Sequence, residues 1–370
     1  MSAVSAAILT TLVVPASTAG ATGQQALDST GVDSRTAESF QQMAEDVLDE
    51  RTEALLDRER PRSADRQRHR NIRVASALAR HEKGGRSKLR GRKARLAALG
   101  EAYADSDTRV DVDKVRVRGR HATVQVTETT TLTYKKVRGD EPSTTGFQAH
   151  HELRFTERGR GEWELTRIRP TDTGLVAVNQ PDTTAQSAPG ALPASKPAAT
   201  TWPAPSAPKD WNATGYDYRA MARYAERYWY NYNPEYRRFN DAGGDCTNFV
   251  SQALKAGGWQ HVPGGYDDHR AWWYGDSYQS TSWVGANEWS WFTLSQKRAT
   301  NLASAYQLDV GDVMQMDFDR DGSKDHTMIT TYRSFSGVPY LTYHSVNTYR
   351  KSLASIVASY PNAVYYAYRT

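Results

Sequence analysis

A single cysteine, Cys246, stands in the run DAGGDCTNFVSQAL that begins at Asp241. One cysteine cannot close an intramolecular disulfide, so the thiol is a buried apolar side chain, a lone metal ligand or a reactive group. Phe249, Val250, Ala253 and Leu254 fall on one face of a predicted helix, and Gly257 and Gly258 close it. Asp245 is its predicted N-cap. Cys246 then lies in the first helical turn, where unpaired backbone N–H groups and the positive dipole end stabilise a thiolate and lower the thiol pKa. Gly243 and Gly244 would let a substrate carbonyl approach the backbone, with the Cys246 N–H as an oxyanion donor. Gly244 and Asp245 are therefore candidate substrate-contacting residues.

A nucleophilic thiol needs a base within hydrogen-bond reach, and the base needs an orienting partner. His326 opens the predicted strand DHTMITTY, which follows the strand GDVMQMDFD. A second strand, YLTYH, returns after a turn at Gly337 and ends on His344. If these strands pair, His344 or Asn347 can fix the His326 tautomer. His344 is favoured because it is still inside the strand, whereas Asn347 begins a loop. Taken alone, His326 reads as an ordinary hairpin histidine and Cys246 as a buried thiol. Their combination predicts covalent acyl chemistry.

Four stretches carry a resemblance: YAERYWYNYNPEYRRF, DCTNFVSQALKAGGW, GDVMQMDFDRDGSKDHTMI and YLTYHSVNTYRKSL. From about Tyr216 onward the chain resembles the putative amidase domain family of the papain-like superfamily, whose relatives include bacterial cell-wall amidases and endopeptidases with a Cys–His–polar site. The resemblance implies Cys246 as nucleophile and His326 as base, with His344 or Asn347 as third member. Val310-Gly311-Asp312 stands where relatives often have Pro-Gly-Asp, a change confined to a turn.

Asp317, Asp319, Asp321 and Asp325 offer oxygen ligands around Gly322, like the first half of a calcium loop. Met328 stands where a bidentate Glu should follow. An Asp/Gly turn is the simpler reading, and structural calcium the weaker one. Between Trp259 and Trp291 the chain is rich in Trp and Tyr; most of these belong in a core, with Trp283 a candidate for the substrate wall. The expected chemistry requires no cofactor.

The elements around these residues divide the 370-residue chain. Residues 1–24 are apolar and then small, ending near Ala19-Gly20-Ala21, and read as an export signal without its charged start. No later run is long enough to span a bilayer. Residues 33–170 form a predicted α+β domain. Phe40, Met43, Val47 and Leu48 mark a surface helix, and a second helical pattern runs from Ile72 to Leu99, interrupted by Gly84, Gly85 and Gly91. From Val110 the period changes to two, which predicts an antiparallel meander. The order of elements resembles cystatin-like or nuclear-transport-factor-like folds. His121, His150 and His151 read as surface histidines, because adjacent strand positions face opposite ways. Residues 171–212 turn to Pro, Ala, Ser and Thr and read as an extended linker. Residues 213–370 form the amidase-like domain.

The fold class is thus α+β: a papain-like C-terminal domain, with N-terminal helices packed on an antiparallel sheet, behind a small helix-plus-sheet domain. The net charge of +5 is dispersed, and the glycines form no phosphate cradle, which excludes nucleotide and nucleic-acid sites. The expected function is an exported bacterial cysteine amidohydrolase, secreted or wall-associated. It would cleave amide bonds in peptidoglycan or a related peptide through a thioester. The alternatives are an inactive wall-binding or scaffolding module and an amine acyltransferase using the same Cys–His site.

Overall fold

The computed structural model describes residues 33–58, 72–159, 161–172, 177–180, 195–240 and 244–370. The expected export signal and Gly243 lie outside these residues. The first half runs α1 (Ser34–Glu53), β1 (Ile72–Val74), α2 (Ser76–Ala98), β2 (Tyr103–Arg118), β3 (His121–Tyr134), β4 (Thr144–Gly159) and β5 (Glu162–Pro170). The second runs α3 (Tyr218–Tyr228), α4 (Cys246–Ala256), α5 (Thr281–Val284), α6 (Ala286–Ser295), β6 (Thr300–Asn301), β7 (Val313–Asp317), β8 (His326–Arg333), β9 (Pro339–Tyr343), β10 (Asn347–Ser352), α7 (Leu353–Ser359) and β11 (Val364–Arg369). The class is mixed α+β, built on one large sheet.

The meander forms as its alternation predicts: β3 buries every second residue, including Val124, Val126 and Leu132. Asp33 caps α1 by accepting the Thr36 N–H, and Phe40, Val47 and Leu48 pack on Val124, Leu153 and Phe155. Two expectations change. The second helix is continuous through Gly84, Gly85 and Gly91. Helical glycine costs about 1 kcal/mol against alanine, and burial of Leu78, Leu89 and Leu96 offsets it. Residues 72–74, expected to belong to this helix, instead form β1, parallel to β5.

The two halves share the sheet. β10 pairs antiparallel with β4, Asn347 opposite Gln148 and Thr348 opposite Phe147. Leu96, Tyr103, Tyr134 and Phe147 of the first half form a common core with Val338, Tyr340 and Val346 of the second. The described end of the Pro/Ala-rich stretch is extended and docked: Ala198 N–H donates to Tyr365 and Ala199 N–H to Ala303. Such a segment needs no apolar side chains, because its backbone groups pair with the neighbouring chain. Lys209 then buries its ammonium 2.8 Å from Asp312.

In the second half, α3 and α4 pack on one face of the sheet around Met221, Phe249, Val250 and Ile329. α7 covers the other face, over Met328, Leu341 and Tyr343. Gly311 is required at its turn, since it has φ +85° and a Cβ there would meet Tyr218 at 2.6 Å. Among the described residues no helix is long and apolar enough to cross a membrane.

Candidate active site

Cys246 opens α4, and Phe249, Val250, Ala253 and Leu254 are buried along it. The helix forms as its apolar face predicts, but its cap differs. Asp245 has φ −100° and ψ 3°, and its side chain takes no N–H from the first turn. A capping side chain needs an extended backbone to reach the second or third helical N–H. The Asp245 carboxylate is instead a buried hub. Oδ1 accepts the Phe239 N–H and the Asn248 amide, each at 2.9 Å, and Oδ2 lies 2.7 Å from His344 Nδ1. Gly244 precedes it with φ +117°, its N–H donating to Phe239.

The thiol is buried, 7% exposed. Its Sγ lies 3.7 Å from the Thr247 hydroxyl, which is 2.8 Å from the Thr327 hydroxyl of β8. Burial pushes the thiol pKa up, and hydrogen bonds from the Thr327 main chain and the Thr247 hydroxyl oppose the rise. This reverses the expected lowering: removal from water outweighs the field of an 11-residue helix.

His326 opens β8 opposite Met316. Its ring meets Tyr343 edge-on at 5.1 Å and stacks 6.5 Å from Phe318. Adjacent strand residues alternate faces, so the Thr327 hydroxyl meets α4 while the His326 ring packs beside Tyr343. No hydrogen bond joins Cys246 to His326 among the described residues. Buried Nε2 of His326 has no hydrogen-bond partner. Burial pushes its pKa down to about 3, with His344 contributing, so the ring is neutral.

The structure brings His344 to Asp245 rather than to His326. Its Nε2 lies 2.9 Å from the Tyr228 carbonyl oxygen, and its ring stacks on Phe249 at 3.9 Å. Both ring nitrogens are thus engaged, one by a carboxylate and one by a carbonyl oxygen. Asn347 begins β10 rather than a loop. It accepts the Tyr232 hydroxyl at 3.0 Å and donates to Gln148 at 3.1 Å, tying the site's edge to β4. Trp283 is fully buried and gives its indole N–H to Asn248, so it belongs to the core. The Asp245–His344 pair has no local signature, because its members are 99 positions apart. The only sequence cue was an Asp directly before the cysteine.

The acidic loop brings carboxylates of Asp317, Asp319 and Asp325 within 4.8 Å of one another. Asp317 accepts the Arg320 and Gly322 N–H groups, Asp321 the Ser323 N–H and Asp325 the Phe318 N–H. Partial burial raises the Asp325 pKa, and Asp319 and Asp317 raise it further. These bonds build a tight Asp turn. Met328, at the position of the missing Glu, is buried in β8.

No solved structure matches the chain. Two uncharacterized proteins of Bacillus subtilis (strain 168) are similar to part of it. YhbB is 36% identical over 127 residues, which is 34% of this chain and 40% of YhbB. YjcM is 32% identical over 143 residues, 36% of this chain and 32% of YjcM. The chain thus spans well under half the length of either relative. Residues 215–368, the stretch that contains Cys246, His326 and His344, match the family described as a putative amidase domain.

Proposed function

We propose that this domain is a cysteine amidohydrolase with Cys246 as nucleophile and His326 as base. The supporting observation is a difference in commitment. His344 has both nitrogens engaged, whereas His326, the residue before the strand position that contacts Cys246, keeps a buried nitrogen without a partner. A general base needs a lone pair to receive the proton. The thiol and the imidazole are both neutral at rest, and this reading requires β8 to shift so that His326 Nε2 comes within hydrogen-bond reach of Sγ when substrate enters.

In the reaction the thiol proton passes to His326 as Sγ attacks the amide carbonyl. The tetrahedral adduct collapses as His326 protonates the leaving amine, leaving a Cys246 thioester. Water, deprotonated by His326, then releases the acid. No cofactor is needed, and His344 with Asp245 acts as a positioning pair for the residues before Cys246. The substrate class we assign is a peptide-like amide, with peptidoglycan stem peptides favoured by the leader-like first residues. An amine replacing water would make the same site an acyltransferase.

A second reading, a wall-binding or scaffolding module without turnover, is favoured by the raised thiol pKa and the absent Cys246–His326 hydrogen bond. Intact-mass analysis of the native protein after p-nitrophenyl acetate separates the two. Catalysis requires one acetyl group on Cys246, forming about 100-fold slower in His326→Ala. A native protein whose Cys246 acylates only after denaturation is the module.

A further inference from the structure

A cavity of 320 Å³ opens between the two halves of the chain. Asp113, His150 and Asp172 line it from the first half, and Tyr232, Asn240 and Ser345 from the second. It adjoins the residue before Cys246: Ser345 accepts the Asp245 N–H at 3.3 Å. Ser345 and Val346 have φ of +52° and +55°. Two successive left-handed non-glycine residues cost on the order of 1 kcal/mol each or more, strain that concentrates where a site must be held. This turn holds the Ser345 hydroxyl between the cavity and the residue before the cysteine.

The lining is rich in acceptors. The Asp172 carboxylate takes the His150 N–H at 2.6 Å and lies 2.9 Å from His150 Nδ1, so the imidazole is fixed on one carboxylate. Asp113, an exposed residue, accepts the Thr127 hydroxyl at 2.9 Å, and its charged neighbour in the cavity is the His150 imidazole already held by Asp172. Arg238 stacks 4.6 Å over the Tyr232 ring and is not part of the lining. Two carboxylates facing one imidazole, beside hydroxyl and amide oxygens, accept hydrogen bonds and repel anions.

We infer that this cavity binds a primary ammonium group, carried by a small peptide-like ligand, with Asp113 as its counterion. The inference rests on the amidohydrolase reading for what the ammonium belongs to, the substrate part next to the scissile amide. In this arrangement the first half of the chain supplies a wall of the substrate site rather than a separate module.

The test measures binding, which need not involve cleavage. Calorimetry on full-length Cys246→Ala protein compares L-alanyl-L-alaninamide with its N-acetyl form, which has the same backbone and no ammonium. The free amine binds at least tenfold more tightly, and Asp113→Asn removes that preference while the fold, monitored by circular dichroism, is retained. Equal binding of the two probes, absence of binding by either, or a preference that survives Asp113→Asn overturns the inference. Cys246 acylation, measured separately, reports on the amidohydrolase reading alone, so the two can fail independently.

Discussion

Each half of the molecule buries a carboxylate–imidazole pair, and the two are built differently. In the first half, Glu128 and His151 meet at 2.8 Å with both side chains fully inaccessible. The carboxylate also takes the Thr130 hydroxyl and the Asn179 amide, which donates to Thr52 of α1 as well. In the second half, Asp245 and His344 meet at 2.7 Å, with Phe239, Asn248 and Tyr228 completing the set. The Glu128 pair ties strands to a helix inside one core. The Asp245 pair sits against a cysteine at a helix start, whereas His151 of the first pair lines the cavity. A buried acid–histidine pair is therefore no mark of chemistry by itself; what distinguishes the second is the adjacent Cys246, the nucleophile of the proposed reaction.

The largest effects come from breaking either pair. Removing either carboxylate leaves its buried donors, the Phe239 N–H and Asn248 amide or the Thr130 hydroxyl and Asn179 amide, without that acceptor, at about 1–3 kcal/mol for each unsatisfied group. Asp245→Ala and Glu128→Ala should each lose stability on this scale in urea denaturation. Only Asp245→Ala should also slow Cys246 acylation, measured under conditions where both variants remain folded. Equal slowing in both would mean that acylation reports global stability, and the comparison would collapse.

A smaller effect separates the uncommitted histidine from the paired ones. His326 is neutral in the fold with a pKa near 3, while the unfolded chain protonates it near 6.5. Below about pH 6.5 the unfolded state binds the extra proton, so stability is lost as pH falls toward the folded value. By pH 4 the loss is about 3 kcal/mol. His326→Gln should flatten this part of the stability profile between pH 6.5 and 4, and an unchanged profile would mean that the ring is not buried neutral.

What the sequence disclosed follows from range. The face Phe249, Val250, Ala253 and Leu254 predicts α4 and puts Cys246 in its first turn, because a helix writes its period into eleven residues. Alternation in β2–β5 discloses the meander for the same reason. The contact between β10 and β4 joins segments about 200 positions apart and leaves no period to read. The same holds for His344 finding Asp245 rather than His326. The thiol pKa rises where a helix start predicts a fall, because sequence reveals the helix start but not how deeply it is buried. Asp245 was assigned as a cap by residue type, whereas its backbone angles and three other partners decide its role.

The smallest effect concerns a buried amine with no carboxylate partner among the described residues, the third term against which both pairs can be judged. Lys351 lies in β10 at the seam, 4% exposed. Burial pushes its pKa down to about 7, and the Arg92 guanidinium adds to the fall. The unfolded chain holds that proton up to about pH 10.4. Between these values the unfolded state binds more protons, so the lysine costs stability, most at the acid end of the window and least as pH rises to 10.4. Lys351→Met keeps the aliphatic stem among Leu132, Tyr343 and Val346 and removes the titrating group. It should stabilise the protein by about 1–2 kcal/mol at pH 7–8 and abolish the rise in melting temperature between pH 7 and 10. A destabilised variant would mean that the seam, like the two pairs, supplies its buried charge with a partner.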